Sequence, residues 1–107
     1  MSRLLSYHLV DTKILSLATT PIDNTAWVTV YAASKQPCSS AEVYNGSNAL
    51  LQIAIGAAGF EVAIPYTVLP GRSVVIPFEV SKGKRISAKA ATATIANVDY
   101  LALNLLG

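Results

Sequence analysis

Apolar and polar residues alternate with a period of two in several segments of this 107-residue chain. Between Ala26 and Ala33 the alternation separates Val28, Val30 and Ala32 from Trp27, Thr29 and Tyr31. Successive side chains of a strand point to opposite faces, so this pattern predicts half-buried β-strands. Val, Ile and Thr, whose branched side chains favour strands, make up 26 of the residues and support the same prediction.

Turn sequences recur between these segments at a spacing of about 8–12 residues, which is typical of all-β sandwiches and barrels. We therefore predict one all-β, antiparallel β-sandwich that resembles a jelly roll, with about seven or eight strands. Strands are expected near residues 26–33, 40–45, 49–55, 60–67, 73–80, 84–94 and 99–106. In the turn Asn45-Gly46-Ser47, we expect Asn and Gly to be present for their tolerance of left-handed backbone conformations.

Three of the strands carry further predictions. In the last strand, Leu101, Leu103 and Leu105 share one face, which we place in the core with Val74, Ile76 and Phe78. The strand that contains Pro77 should lie at a sheet edge or contain a bulge there, because proline has no N–H to donate. Alternation in Lys84 to Ala91 predicts a solvated face made of Arg85, Ser87 and Lys89.

The first 25 residues leave two alternatives open. Their apolar residues fit a strand pair broken near Asp11 or a short helix about equally well. The segment is expected either to add core strands or to form an arm on a neighbouring subunit, and core strands are favoured because a sandwich needs them for closure. We thus divide the single domain into two parts. Residues 1–25 form N-terminal strands or an arm, and residues 26–107 form the body of the sandwich.

No set of residues in the sequence predicts catalysis, a metal site or a cofactor. The carboxylates are scattered one per strand or turn, His8 is the only histidine, and Cys38 is the only cysteine. Neither His8 nor Cys38 has sequence neighbours that would make it a ligand or a nucleophile, so neither is expected to be essential. The sequence therefore predicts a protein that is not an enzyme.

Charge and hydropathy also limit the partners that we expect. A net charge of +2 is too small to indicate nucleic-acid binding. The basic sequence Lys82-Gly83-Lys84-Arg85 could contact phosphate or a capsid surface, but no aromatic residues lie near it for base stacking. The longest uncharged stretch, Val43 to Phe60, contains too many polar residues and glycines for a membrane span, so no membrane partner is expected.

Hydrophobic residues make up 52% of the chain and charged residues 13%, which indicates more apolar surface than a small domain can bury. We therefore predict a homo-oligomer, with a trimer favoured. Large aromatic and aliphatic side chains dominate such interfaces. The residues expected to line the contact are Trp27, Tyr31, Tyr100 and Leu106.

Several turn-plus-strand sequences, in this order, carry a resemblance over about residues 27 to 107: Val43-Tyr44-Asn45-Gly46-Ser47, Ile55-Gly56-Ala57-Ala58-Gly59-Phe60-Glu61, Leu69-Pro70-Gly71, Lys82-Gly83-Lys84-Arg85-Ile86-Ser87 and Leu101 to Asn104. The chain resembles small β-sandwich virion proteins of tailed bacteriophages, which occur as capsid decoration (cement) proteins and at fibre bases. The resemblance implies a structural protein, often trimeric, that binds and stabilises the major capsid protein shell.

Two other functions remain open from the sequence. One is a neck, tail or fibre-base component that binds other virion proteins, and the other is a cellular carbohydrate- or protein-binding module, because one sandwich fold hosts many functions. On the phage interpretation, the protein is assembled in the host cytoplasm and is located in the virion.

Overall fold

The computed structural model describes residues 9–32, 39–56, 62–76 and 84–107. These residues form eight strands and no helix. The strands are β1 (Leu9–Ser16), β2 (Val28–Tyr31), β3 (Ser40–Asn45), β4 (Leu51–Gly56), β5 (Val62–Val68), β6 (Arg72–Ile76), β7 (Arg85–Ala90) and β8 (Tyr100–Leu106).

The eight strands form two four-stranded antiparallel sheets. The first sheet has the order β1-β8-β3-β6 and the second sheet the order β2-β7-β4-β5. The chain changes sheet at every connection except the one between β4 and β5. This strand order is that of a jelly roll, and it confirms the predicted all-β sandwich of seven to eight strands.

Alternate residues of β8 and β6 enter the core as the sequence predicts. Leu101, Leu103 and Leu105 are fully buried, and so is Ile76. Val74 is partly buried and packs against the same cluster. Phe78 and Pro77 lie outside the described residues, and β6, described as Arg72–Ile76, is an edge strand of the first sheet.

The described part of the N-terminal segment belongs to the sandwich. β1 pairs with β8 along its length, and a register shift between Leu9 and Asp11 marks a β-bulge. Over residues 9–16, the expected break near Asp11 and the alternative of a short helix are both wrong, because a bulge absorbs the irregularity without ending the strand. Leu17 and Ile22, which follow β1, are fully buried in the core.

Two charged residues lie on β1, an edge strand of the first sheet. Asp11 and Lys13 lie opposite the buried Leu105 and Leu103, on the side of the strand that faces the second sheet. Inward-pointing charges on an edge strand prevent unwanted pairing with another chain. The Tyr31 hydroxyl of β2 donates a hydrogen bond to Asp11 Oδ2 at 2.6 Å, so this pair links the two sheets at their open edge.

The loop between β1 and β2 is held by Asp23. Its Oδ1 accepts hydrogen bonds from the Thr25 hydroxyl at 2.6 Å and the Thr25 N–H at 2.9 Å. The side-chain and then the backbone hydrogen bond of Thr25 hold the pKa of Asp23 below its ordinary value of 3.8. The stabilisation from this carboxylate is therefore present above that ordinary value and is lost as the pH falls through the lowered pKa.

The turn after β3 is built differently from the prediction. Gly46 does not have a positive φ; among the described residues, positive φ occurs at Gly71 and Asp99. The left-handed conformation expected at Asn45-Gly46 is therefore wrong. Gly46 is needed for space, because a Cβ there would lie 2.6 Å from the carbonyl oxygen of Tyr100, to which the Gly46 N–H donates.

Replacing Gly46 by alanine is expected to lower the free energy of unfolding by about 1–3 kcal/mol, the usual cost of overpacking. The obstacle is backbone of β8, which cannot rotate away as a side chain could. Chemical denaturation measures the effect. Gly71→Asn is the matched control: a Cβ at Gly71 meets no atom within 4 Å and Asn tolerates positive φ, so this variant should lose less than about 1 kcal/mol. Equal losses in the two variants would contradict the steric explanation.

Candidate functional site

The outward-facing residues of the first sheet form the candidate interaction surface, which we call the first-sheet face. They alternate along each strand with the buried core residues and lie opposite one another across the sheet. The face consists of Leu9, Thr12, Ile14 and Ser16 of β1, Tyr100, Ala102, Asn104 and Leu106 of β8, Ser40, Glu42 and Tyr44 of β3, and Ser73 and Val75 of β6.

Large apolar side chains of this face are open to solvent. The exposed fractions are 69% for Ile14, 61% for Leu9, 50% for Val75 and 43% for Tyr100. The ring of Tyr100 packs against that of Tyr44, with a centroid distance of 5.8 Å and an interplanar angle of 42°. Single exposed apolar residues are normal on proteins, but four large ones on one sheet face make it the candidate contact surface.

One polar row crosses the face between apolar rows. The Thr12 hydroxyl donates to Asn104 Oδ1 at 2.8 Å, and Asn104 Nδ2 donates to Glu42 Oε1 at 3.1 Å. Glu42 is the one charged side chain of the first-sheet face within the described ranges. The row therefore runs from a hydroxyl on the edge strand β1 to a carboxylate on β3, and Val75 of the other edge strand, β6, lies beyond Glu42.

The outer side of the second sheet has a different character. Lys89 Nζ lies 4.9 Å from the centre of the Trp27 ring, and Arg85 Nη1 donates to Thr29 Oγ1 at 2.7 Å. A solvated face made of Arg85, Ser87 and Lys89 was predicted. Ser87 is fully buried, so the prediction is wrong for this residue. The short serine side chain sits mid-sheet with β2 and β4 on either side.

The four residues predicted to form one interface are separated in the fold. Tyr100 and Leu106 lie on the first-sheet face, whereas Trp27 lies beside Lys89 of the second sheet. Tyr31 is half-buried and packs against the core, because a bulge between Thr29 and Tyr31 places it opposite the buried Ile86. They therefore do not make a single patch.

The basic residues predicted to contact phosphate or a capsid are described only in part. Lys82 lies outside the described residues. Lys84 is exposed just before β7, and Arg85, the first residue of β7, is half-buried. These two cations are thus presented at the second sheet, away from the first-sheet face.

Sequence analysis missed Ile14 and Thr12, which complete the first-sheet face. Their alternation with Lys13 and Leu15 is a weak strand signal, and the bulge after Leu9 interrupts it. Only the pairing of β1 with β8 shows that Ile14 lies beside Ala102 and Thr12 beside Asn104.

Within ranges 9–32, 39–56, 62–76 and 84–107, no group of three or more His, Cys, Asp or Glu side chains is arranged to hold a metal ion. In the same ranges, no helix has the length and apolar character needed to cross a membrane. Comparison of the chain with protein-family models, curated proteins and solved structures gives no match.

Proposed function

We propose that this chain is a non-enzymatic structural protein of a bacteriophage virion, a capsid decoration protein that binds and stabilises the shell of the major capsid protein. The observation that carries the proposal is the exposed apolar first-sheet face on a jelly-roll domain. Such a face is suited to permanent packing against another protein subunit. The sequence resemblance to phage virion proteins supplies the biological setting.

The two sides of the sandwich support two separate contacts. The first-sheet face exposes Leu9, Ile14, Val75 and Tyr100 and serves association between copies of the chain. The second sheet presents Lys84, Arg85 and Lys89, with Trp27 beside Lys89. In this proposal these cations bind acidic groups on the capsid shell, and many weak contacts over the shell add to strong adhesion.

Immunogold labelling of phage particles from the source culture, with an antibody raised against the chain, tests the proposal. Label spread over the heads is the expected result. Label confined to the neck, tail or fibre base would show that the chain is a component of that part and not a capsid decoration protein. Unlabelled particles, with the chain found only in cell fractions, would overturn both and favour a cellular binding module.

Reversing the charge at Lys84 is expected to weaken the affinity of the chain for phage heads by about tenfold, because an attractive contact becomes repulsive. The heads used are ones that lack the protein. Co-sedimentation at low and high salt measures the effect, which should shrink as salt screens the charges. Arg72→Glu is the matched control, since Arg72 is exposed on β6 of the other sheet. Equal weakening by both variants would contradict a specific contact at Lys84.

A further inference from the structure

Asn45 is the one asparagine of the chain that a glycine follows. We infer that the fold keeps the Asn45-Gly46 peptide from deamidating, and that a chain modified there while unfolded does not regain its native stability. The inference goes beyond the proposed function, since it concerns a modification of the chain itself and can be tested without a virion.

Deamidation of an Asn-Gly peptide needs only water as a co-reactant. The backbone nitrogen of Gly46 loses its hydrogen and bonds to Cγ of Asn45, and Nδ2 takes that hydrogen and leaves as ammonia. Water then opens the succinimide ring at one of its carbonyl carbons. Opening at Cγ leaves aspartate, whereas opening at the backbone carbonyl leaves isoaspartate, in which the chain continues through Cγ. Glycine permits the attack most readily, because it has no side chain to hinder its nitrogen.

The first protection lies at the attacking nitrogen. The Gly46 N–H donates to the carbonyl oxygen of Tyr100 at 3.0 Å, which holds its hydrogen in place. The attack also needs rotation about the bond between Cα and the carbonyl carbon of Asn45. That rotation is opposed by the sheet, because residue 45 pairs with Arg72 of β6 and Leu101 of β8. The nitrogen is therefore kept from Cγ as long as β3 stays between its neighbours.

The second protection lies at the leaving group. Asn45 Nδ2 donates to the carbonyl oxygens of Ala49 and Val68, so both of its hydrogens are bound. The side chain is fully buried, which keeps water from it. Ser47 donates its N–H and its hydroxyl to Oδ1, and these bonds polarise the side-chain carbonyl in the direction that favours attack. Protection therefore rests on the fixed Gly46 nitrogen and the bound Nδ2, and not on an unreactive carbonyl.

The products do not fit the site that Asn45 occupies. Ionised aspartate has no hydrogen to donate, and it would place an oxygen against the carbonyl oxygens of Ala49 and Val68. Isoaspartate adds a methylene group to the backbone at the end of β3, where the strand pairs on both sides. Either product removes bonds between β3 and its surroundings, so the modified chain is less stable and unfolds more often.

Folding thus sets the rate of this modification. In folded domains, about one chain in 1,000 or fewer is unfolded at a given moment. A reaction that requires the unfolded chain is therefore expected to run at least ~100-fold more slowly in native buffer than in denaturant. Modified copies come from chains that have spent time unfolded, while copies that stay folded remain intact.

Peptide mapping by mass spectrometry tests the protection. The chain is kept at slightly alkaline pH, which favours loss of the hydrogen from the attacking nitrogen, with or without guanidinium chloride. Asn45 is expected to deamidate in the denaturant and to stay unmodified in native buffer. The control is a synthetic peptide of residues 43–47, which has no fold to protect it and should react alike in both solutions. Equal rates at Asn45 of the full chain in both solutions would overturn protection by the fold.

Refolding tests the consequence of the modification. Chains aged in guanidinium chloride are returned to native buffer, and their denaturation midpoint is compared with that of fresh chains. The share of chains modified at Asn45 is expected to show a lower midpoint or no folding transition. Modified chains with the native midpoint would overturn this part of the inference.

Gly46→Ala is the matched variant for both measurements. Its methyl group hinders the attack in the unfolded chain, so Asn45 should deamidate more slowly in denaturant than in wild type. Mapping of the unfolded variant gives this comparison whether or not the variant folds well. Aged and fresh Gly46→Ala chains should then share one denaturation midpoint. If the aged variant were damaged as much as aged wild type without modification at Asn45, deamidation would not be the cause.

Discussion

Replacing Leu103 by alanine is expected to lower the free energy of unfolding by about 2–5 kcal/mol. Leu103 is fully buried at the middle of β8, the strand that lies between β1 and β3. It lies opposite Val43 of β3, which is also fully buried. Truncation removes apolar contacts and leaves a cavity that neighbouring strands, fixed by their ladders, cannot fill.

Chemical denaturation of wild type and variant measures this loss. Both proteins must be compared at one concentration, because association of copies stabilises the folded state by mass action. Leu69→Ala is the control, since Leu69 lies exposed between β5 and β6 and its loss should stay within about 0.5 kcal/mol. A Leu103→Ala loss below about 1 kcal/mol would contradict its place in the core.

The core of the sandwich could be predicted from the sequence because period-two alternation survives wherever one strand face is buried. The leucines of β8 show this most plainly, since every second residue from Leu101 to Leu105 is fully buried. Pro77, whose ring nitrogen cannot donate to a ladder, predicted an edge strand or a bulge, and β6 lies at the edge of the first sheet. Both predictions rest on chemistry that acts within a single strand.

Bulges were the main reason that other residues were misplaced. A single extra residue changes the face of every side chain beyond it. The bulge in β2 turns Tyr31 toward the core, and the bulge in β1 hides the strand pattern that would have identified Ile14. Neither bulge has a sequence signal of its own, so the candidate contact surface was predicted only where β8 contributes to it.

The turn after β3 could not be predicted for a further reason: its requirements come from distant parts of the chain. Gly46 is constrained by the backbone of Tyr100, and the Asn45 side chain reaches a carbonyl group of β5. A local pattern of Asn-Gly-Ser indicates a turn but gives no information about the strands that surround it.

Replacing Asn45 by alanine is expected to lower the free energy of unfolding by about 2–4 kcal/mol, since each buried polar group left without a partner costs ~1–3 kcal/mol. Asn45 is fully buried. Its Nδ2 donates to the carbonyl oxygens of Ala49 at 2.7 Å and Val68 at 2.8 Å, and its Oδ1 accepts from the Ser47 N–H at 2.9 Å. One side chain thus joins the end of β3, the following turn and the end of β5.

Two further variants distinguish the loss of the Asn45 hydrogen bonds from the loss of its side-chain volume. Asn45→Asp keeps the shape of the side chain but places an acceptor against the carbonyl oxygens of Ala49 and Val68. It should therefore destabilise the fold at least as much as Asn45→Ala, as measured by denaturation at neutral pH. Asn48→Ala, at an exposed position of the same turn, should change stability by no more than about 0.5 kcal/mol. If Asn45→Asp were as stable as wild type, the donor bonds of Asn45 would not be what holds β3 to β5.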